Sequence, residues 1–361
     1  MMKRLLTGLT LAMALGGSAI AAEPSYAPKP GDFVVENFRF RSGETLPQAR
    51  IHYATLGEPH RNASGSIDNA VLLLHGTGGD GMQFMRPQFA GELFGPGQPL
   101  DITTHYIILI DDVGHGASSK PSDGLHAKFP HYDYDDMVEL EHRLTTDHLG
   151  ISRLRLVLGT SMGCMHAFLW GETYPDDVAA LMPLACLPTQ IAGRNRVWRK
   201  MLMTAITSDP AWMGGDYKSP PIAGLRTAAD LLAIAGSAPH QNQKQWPTRD
   251  AADAYVDASE RMLGAGPDAN DLLYQVASSG TYDPSAGLGK IKAPLTWVNS
   301  ADDFINPPEL GIAERMAPRI PNGRYYLLQT GELTHGHGTH TWAAAWKDLL
   351  VDLLKRSEPN G

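Results

Sequence analysis

The sequence predicts an α/β fold: a mostly parallel sheet flanked by helices, with a helical insertion as a cap. Apolar runs of strand length, such as "NAVLLLHG" and "HYIILIDD", end at Gly- and Asp-rich loops and alternate with helix-like segments. Between residues 190 and 285 this alternation stops, and about a hundred residues have helical character, too many for a simple connection. The 361 residues are 43% hydrophobic and 19% charged, a composition typical of folded globular chains.

Residues 1–22 are predicted to be a cleaved signal peptide. Lys3 and Arg4 precede an apolar run from Leu5 to about Leu15, and small residues ending in "SAIAA" follow. The run is short and interrupted by glycine, so a cleaved signal is favoured over an uncleaved anchor that spans the membrane. We therefore expect a periplasmic or secreted mature protein with no membrane span.

The rest of the chain is predicted to form one core in two parts, residues 23–188 and 289–361, around a single eight-stranded sheet. Residues 189–288 form the cap between these parts. The predicted strands are, in chain order, residues 33–40, residues 49–56, "NAVLLLHG", "HYIILIDD", "RLRLVLG", "VAALMPLAC", "APLTWVNS" and "GRYYLLQT".

Four segments of the core are predicted to be helices. In "YDDMVELEHRLTTDHL", Met137, Leu140 and Leu144 recur at helical intervals, and Gly150 follows as a stop signal. The other predicted helices are residues 162–173, "PPELGIAERMA" and "TWAAAWKDLLVDLLKR".

The net charge bears on whether the protein binds nucleic acid, and the cysteine content bears on whether it contains a disulfide. The formal net charge of −9, with no Lys/Arg run, argues against a nucleic-acid partner. Cys164 and Cys186 are predicted to be buried free thiols, because unpaired cysteine is commonly found in cores. An oxidising compartment would also permit a disulfide between them.

The strongest local motif is Gly159-Thr160-Ser161-Met162-Gly163, a G-x-S-x-G that lies between a buried strand and a helix. A strand that turns sharply into a helix holds its serine in a strained conformation, and side chains on the flanking glycines would collide with neighbouring elements. The turn exposes the hydroxyl beside a helix N-terminus, which favours developing negative charge. The motif therefore predicts Ser161 as a nucleophile.

An oxyanion needs a second backbone donor, and "LLLHGTGGDG" supplies a Gly-rich loop directly after an earlier strand. We assign the amides of Met162 and Thr77 as the pair of oxyanion donors. From the residues alone, Gly78 could equally be the second donor.

A general base and an acid that orients it are expected further along the chain. "APLTWVNSADDFINPPE" ends a strand in Asp302 and Asp303, and "THGHGTHT" after the next strand carries His335, His337 and His340. The H-x-H pair could serve a metal, but no complementary cluster with ligand spacing accompanies it in the sequence. We predict a Ser-Asp-His triad that uses no metal and no cofactor.

Longer motifs resemble the homoserine O-acetyltransferase branch of the α/β-hydrolase superfamily. They are "YDDMVELEHRLTTDHLGI", "GTSMGCMHAFLWGETYPDDV", "AITSDPAWMGGDYKSPPIAGLRTAADL" and "DFINPPE", and the resemblance covers nearly all of the mature sequence. It implies the α/β-hydrolase fold with a helical lid, and it makes a homodimer plausible.

The resemblance also selects between the candidate triad residues. The family's acid lies nine positions after the proline that opens its strand and four before the next proline. Counted from Pro294 and to Pro307, both intervals select Asp303. The family's catalytic histidine follows a glycine, which selects Gly336-His337.

Departures from the family pattern bear on the reaction. The family has glycine where Cys164 stands, and it has aspartate, thought to help hold the substrate amino group, where Gly338 stands. Acetyl-CoA is an intracellular metabolite that an exported enzyme would lack. We therefore expect an exported serine esterase that acts on a small-molecule ester, with O-acyl transfer of the homoserine O-acetyltransferase type as the alternative.

Overall fold

A computed structural model describes residues 26–262 and 266–358, with the side chains of 260–262 excepted. The predicted signal peptide therefore lies outside the described residues. Within them the chain forms one eight-stranded sheet in the order β1-β2-β4-β3-β5-β6-β7-β8. The strands are β1 (Lys29–Arg39), β2 (Thr45–Leu56), β3 (Ala70–Leu74), β4 (Tyr106–Ile110), β5 (Leu156–Thr160), β6 (Leu181–Leu184), β7 (Leu295–Ser300) and β8 (Gly323–Leu328).

The sheet is mostly parallel, as predicted. β1 pairs with β2 and β2 with β4 in antiparallel fashion, and the five remaining pairings, from β4–β3 to β7–β8, are parallel. The carboxyl ends of β3, β5 and β7 therefore meet at one edge of the sheet. Ligand sites of open α/β sheets form at this edge.

The described residues contain ten α-helices. They are α1 (Pro87–Leu93), α2 (Tyr134–Arg143), α3 (Met162–Thr173), α4 (Gly193–Ser208), α5 (Ile222–Ala235), α6 (Pro239–Gln245), α7 (Arg249–Met262), α8 (Ala269–Ala277), α9 (Ile312–Met316) and α10 (Lys347–Arg356). None of them is both long enough and apolar enough to cross a membrane.

Both faces of the sheet are covered by helices, so the central strands are buried throughout. Leu72 and Leu74 of β3 point into the apolar cluster that contains residues of α2 and α3. The alternate residues Val71 and Leu73 point into the opposite cluster, which contains residues of α1 and α10. This alternation explains why β3 is a continuous apolar run rather than an amphipathic strand.

The described residues between β6 and β7 contain helices α4–α8 and short 3₁₀ turns, and no strand. Leu202 of α4, Leu225 of α5 and Leu272 of α8 share a separate apolar cluster. Tyr274 of α8 belongs instead to the core cluster and donates a hydrogen bond to the carbonyl of Phe129 at 2.8 Å. Helix α8 thus packs on the cap and on the core together.

Two predicted helices differ from the structure. The segment "PPELGIAERMA" is divided at Gly311, whose φ of 58° ends a 3₁₀ turn and precedes α9. The final helix was predicted to begin at Thr341, and α10 begins at Lys347 after two 3₁₀ turns. His340 lies in the first of these turns and therefore ahead of α10.

Candidate active site

Ser161 lies at a sharp turn between β5 and α3. Its backbone has φ 56° and ψ −106°, the strained conformation expected for the serine of a G-x-S-x-G motif. A Cβ on Gly159 would lie 1.9 Å from the carbonyl oxygen of Gly163. One on Gly163 would lie 2.2 Å from the carbonyl oxygen of Leu74. Only glycine fits at either position, which is the steric reason inferred from the sequence.

The structure brings Ser161, His337 and Asp303 into hydrogen-bonding contact, although they are far apart in sequence. The Oγ of Ser161 lies 2.8 Å from Nε2 of His337, and Nδ1 of the same ring lies 2.9 Å from Oδ2 of Asp303. A ring that donates from Nδ1 to the carboxylate leaves Nε2 free to accept the serine proton. The three groups therefore have the connectivity of a Ser-His-Asp triad.

The Asp303 carboxylate is buried, with 2% of the residue exposed, and is held by several donors. Burial alone would raise its pKa, but the charge of His337 and hydrogen bonds from His337 and Asn306 lower the pKa below its ordinary value. The backbone amide of Ile305 also donates to it, at 2.7 Å. Asp303 is thus kept ionised and able to orient the imidazole.

Asp302, the alternative that the residues alone left open, has a different contact. Its Oδ2 accepts a hydrogen bond from the backbone amide of Gly336 at 3.0 Å and does not reach the His337 ring. Gly336 itself has φ 57°, and a Cβ there would lie 2.4 Å from the carbonyl oxygen of Ser237. Asp302 therefore shapes the loop that carries the histidine.

The Gly-rich loop after β3 lies against the serine. A Cβ on Gly76 would be 3.3 Å from the Cβ of Ser161, and the amide of Gly79 closes a turn onto the Gly76 carbonyl at 2.9 Å. The amides of Met162 and Thr77, the predicted oxyanion donors, have no hydrogen-bond partner within the described ranges. Both are therefore free to donate to a substrate oxygen. The amide of Gly78 is equally free, so the choice between it and Thr77 stays open.

The three histidines of "THGHGTHT" have separate surroundings. His335 stacks on Trp342 with ring centroids 3.8 Å apart. His340 is half-buried, and desolvation lowers its pKa to about 3, so it stays neutral at physiological pH. His337 is the member of the three that contacts Ser161.

The prediction of free thiols is wrong. Cys164 and Cys186 form a disulfide, with Cα atoms 5.8 Å apart, between the first turn of α3 and the segment after β6. The distance between these two segments cannot be read from a sequence, because it is the parallel pairing of β5 with β6 that brings them together.

A cavity of about 680 Å³ opens onto the serine, within the range of small-molecule sites. Residues of the core and of the cap line it together, among them Ser161, Met165, Leu187, Arg199, Phe304 and His337. The cap thus forms one wall of the space that a substrate would occupy.

Sequence reasoning missed residues that position the site. Asn306 donates to Oδ2 of Asp303 at 2.9 Å and to the Ala185 carbonyl at 3.0 Å, which fixes the carboxylate. Gln83 donates from Nε2 to Oγ1 of Thr160 at 2.8 Å beside the Gly-rich loop. Asn306 lies in the "DFINPPE" motif, which marks it as a candidate, whereas no sequence pattern marks Gln83.

Behind the serine turn lies a buried acidic pair, Asp112 and Glu141, next to His166. Burial and mutual repulsion raise the pKa of Asp112 to about 8, and burial raises that of Glu141 to about 7. Burial lowers the pKa of His166, whose Nδ1 lies 2.7 Å from Oε1 of Glu141. Neither carboxyl oxygen of Asp112 has a hydrogen-bond partner in the described part of the chain.

We expect Asp112→Asn to stabilise the protein increasingly as pH rises. A raised pKa means that the folded state keeps a proton that the unfolded chain releases, so wild-type stability falls as pH rises from about 4 towards 8. Asparagine cannot ionise, so its advantage should grow by about 1 kcal/mol per pH unit between pH 5 and pH 8. Urea unfolding at several pH values measures this difference in the free energy of unfolding.

Asp111 provides the matched control for this prediction. Its oxygens accept hydrogen bonds from the amides of Gly81 at 2.8 Å and Ala117 at 2.7 Å, so Asp111→Asn should destabilise the protein instead. A difference between Asp112→Asn and wild type that stays constant with pH would contradict the prediction.

A strained serine, a histidine and an aspartate at the carboxyl edge of a mostly parallel sheet together define an α/β-hydrolase site. The sequence comparison agrees: the family model for the alpha/beta hydrolase fold matches residues 69–332, and the chain belongs to this family. Within it, the chain lies in the homoserine O-acetyltransferase-like branch.

Individual relatives include transferases and an esterase. A probable acyltransferase of Methanothermobacter thermautotrophicus is 30% identical over 299 residues, covering 82% of this chain and 90% of that protein. A homoserine O-acetyltransferase of Haloferax prahovense is 30% identical, covering 71% and 70%. The solved acetyl esterase MekB superposes with a TM-score of 0.77 at 25% identity, covering 90% of this chain and 96% of that one. The chain is therefore an enzyme of the hydrolase or acyltransferase type.

Proposed function

We propose that this protein is an exported serine esterase, which cleaves a carboxylic ester through an acyl-serine intermediate. The observation that carries the proposal is the contact between Ser161 and His337 at 2.8 Å, with the ring held by Asp303, at the wall of a 680 Å³ cavity. O-acyl transfer of the homoserine O-acetyltransferase type, through the same intermediate, is the alternative.

In the first half-reaction Ser161 Oγ attacks the ester carbonyl carbon while its proton passes to Nε2 of His337. The carbonyl oxygen becomes an oxyanion, which the amide of Met162 and the amide of Thr77 or Gly78 stabilise. Asp303 stabilises the imidazolium. When the tetrahedral intermediate collapses, the C–O bond to the alcohol breaks, and His337 gives its proton to the leaving alkoxide.

In the second half-reaction a water molecule attacks the acyl carbon. His337 takes one proton from the water, and the resulting intermediate collapses with release of the carboxylic acid. The same proton returns to Oγ of Ser161, so the enzyme is regenerated. An alcohol in place of water would give a new ester, so hydrolysis and transfer differ only in the acceptor.

The residue after His337 favours water as the acceptor. Transferases that this chain resembles carry an aspartate there, thought to help hold the substrate amino group, and this chain carries Gly338. A Cβ on Gly338 would meet no atom within 4 Å, so the position is open and offers no carboxylate. An acceptor ammonium without a counter-ion at this position would cost several kcal/mol on burial.

Two observations support the proposal that the protein is exported. The first is the signal-like segment at the N-terminus. The second is the disulfide between Cys164 and Cys186, because such bonds persist in oxidising compartments and are rare in the cytosol.

Product partitioning separates the two reactions. With 4-nitrophenyl acetate, we expect most acyl groups to appear as acetate even when homoserine, serine or ethanol is added at millimolar concentration. Acetyl-CoA with homoserine should give little or no O-acetylhomoserine. Chromatography of the products measures the ratio, and transfer faster than hydrolysis would replace the esterase proposal by the transferase alternative.

Gly338→Asp is the matched variant for this experiment. The space around Gly338 accepts a side chain, so the variant should fold. If the missing carboxylate limits transfer, the fraction of acyl groups captured by homoserine should rise in Gly338→Asp and that captured by ethanol should not.

A further inference from the structure

The cavity contains a buried cation that no carboxylate in the described part of the chain neutralises. Arg199 of α4 is 2% exposed and lines the cavity together with Ser161. No carboxylate within residues 26–259 and 266–358 forms an ion pair with it. Arginine is rarely buried without a counter-ion.

The contacts of Arg199 are all with uncharged groups. Its Nε donates to Oδ1 of Asn195 at 3.0 Å, and its Nη1 donates to Oγ of Ser279 at 3.2 Å. The guanidinium carbon lies 4.8 Å from the centroid of the Trp198 ring, and the Tyr134 hydroxyl interacts with the charge. These contacts fix the orientation of the guanidinium without neutralising it.

The acidic residues at the triad end of the cavity are already engaged. Asp303 is bound to His337, and Asp302 is bound to the backbone amide of Gly336. Burial lowers the pKa of Arg199, but an arginine still stays protonated at any pH at which the protein would act. Glu309 also lines the cavity, but it is exposed and forms no ion pair with Arg199. Arg199 therefore offers a fixed positive charge to a substrate that enters the cavity.

We infer that the substrate carries a carboxylate and that Arg199 binds it. This inference rests on the proposed esterase function, because the same cavity holds the nucleophile. A guanidinium pairs with a carboxylate through parallel hydrogen bonds, so it fixes orientation as well as adding affinity. The carboxylate lies either on the acyl part or on the alcohol part of the ester.

Matched pairs of esters test both arrangements. Mono-4-nitrophenyl adipate against 4-nitrophenyl hexanoate places the charge on the acyl side, and 4-acetoxybenzoate against its methyl ester places it on the alcohol side. In the pair whose charge lies on the correct side of the ester, the wild-type kcat/KM for the charged ester should exceed that for the neutral ester by about 10-fold or more. Arg199→Met should lower that ratio by about 10- to 100-fold.

Arg196→Met is the control, since Arg196 lies on the same helix, is exposed and does not line the cavity. It removes one positive charge and should leave both ratios as in wild type. Equal loss on charged and neutral esters in Arg199→Met would show a structural role only and would overturn the inference. Failure of wild type on every ester would count against the esterase function itself.

A binding measurement on the wild-type protein tests the inference even if no ester is turned over or the Arg199 variant does not fold. Adipate should raise the melting temperature of the wild-type protein more than uncharged adipamide does, or 4-hydroxybenzoate more than 4-hydroxybenzamide. Where Arg199→Met folds, this difference should disappear, and Arg199→Lys should keep part of it because the charge remains. Equal shifts for acid and amide in both pairs would overturn the inference.

Discussion

Replacing Ser161 by alanine is expected to lower kcat/KM for 4-nitrophenyl esters by at least about 10⁴-fold. The substitution removes the atom that forms the acyl-enzyme, and neither the oxyanion donors nor His337 can replace it. Any residual rate would come from substrate binding and the oxyanion donors alone. Initial rates across a series of acyl chain lengths measure the loss and also report the acyl length that the cavity prefers.

The same variant should fold like the wild-type protein. Alanine keeps the Cβ of Ser161 and so meets the same backbone strain at φ 56°. Its melting temperature should therefore stay close to that of wild type. A fluorophosphonate probe should label the wild-type protein and not Ser161→Ala, because the label forms on Oγ. Esterase activity that survives in a folded, unlabelled variant would show that another residue is the nucleophile.

Regular elements were predictable where local patterns and tertiary contacts agree. Helix α3 has its predicted bounds, Met162 and Thr173, because the G-x-S-x-G turn fixes its start and the apolar run continues to its end. The final helix was predicted too long, since "TWAAAW" has good helix formers. There Trp346 has φ −140°, and its Nε1 donates to the carbonyl of Thr339, so tertiary packing overrides the local propensity.

The residues of the candidate site also fall into two groups, those that a local sequence pattern identifies and those that only tertiary contacts identify. Ser161 and His337 could be located because a local motif and chain order point to them. The residues alone could not choose between Asp302 and Asp303, since neighbouring carboxylates at a strand end differ only in the direction they point. Arg199 could not be recognised from sequence either, because its partner Ser279 is 80 residues away and its burial depends on how the cap packs.

The Asp303 carboxylate should matter far more than its neighbour. Asp303→Asn is expected to lower kcat by about 10³- to 10⁴-fold. The asparagine amide can donate to Nδ1 and so hold the imidazole in the tautomer with its proton on Nε2, and Nε2 then cannot accept the proton of Ser161. The substitution also removes the charge that stabilises the imidazolium. The comparison with Asp302→Asn uses the same chemical change one residue away, and steady-state kinetics on one ester measures both.

Asp302→Asn should change kcat by only a few-fold, since asparagine keeps an oxygen that can accept the hydrogen bond from Gly336. Its stability should change little for the same reason, because the loop carrying His337 keeps that contact. An equally large loss of activity in a folded Asp302→Asn variant would contradict this prediction. The 2.9 Å contact with His337 would then not be enough to identify Asp303 as the triad acid. The loop anchored by Asp302 would then be as necessary as the charge itself, because a displaced His337 could no longer accept the proton of Ser161.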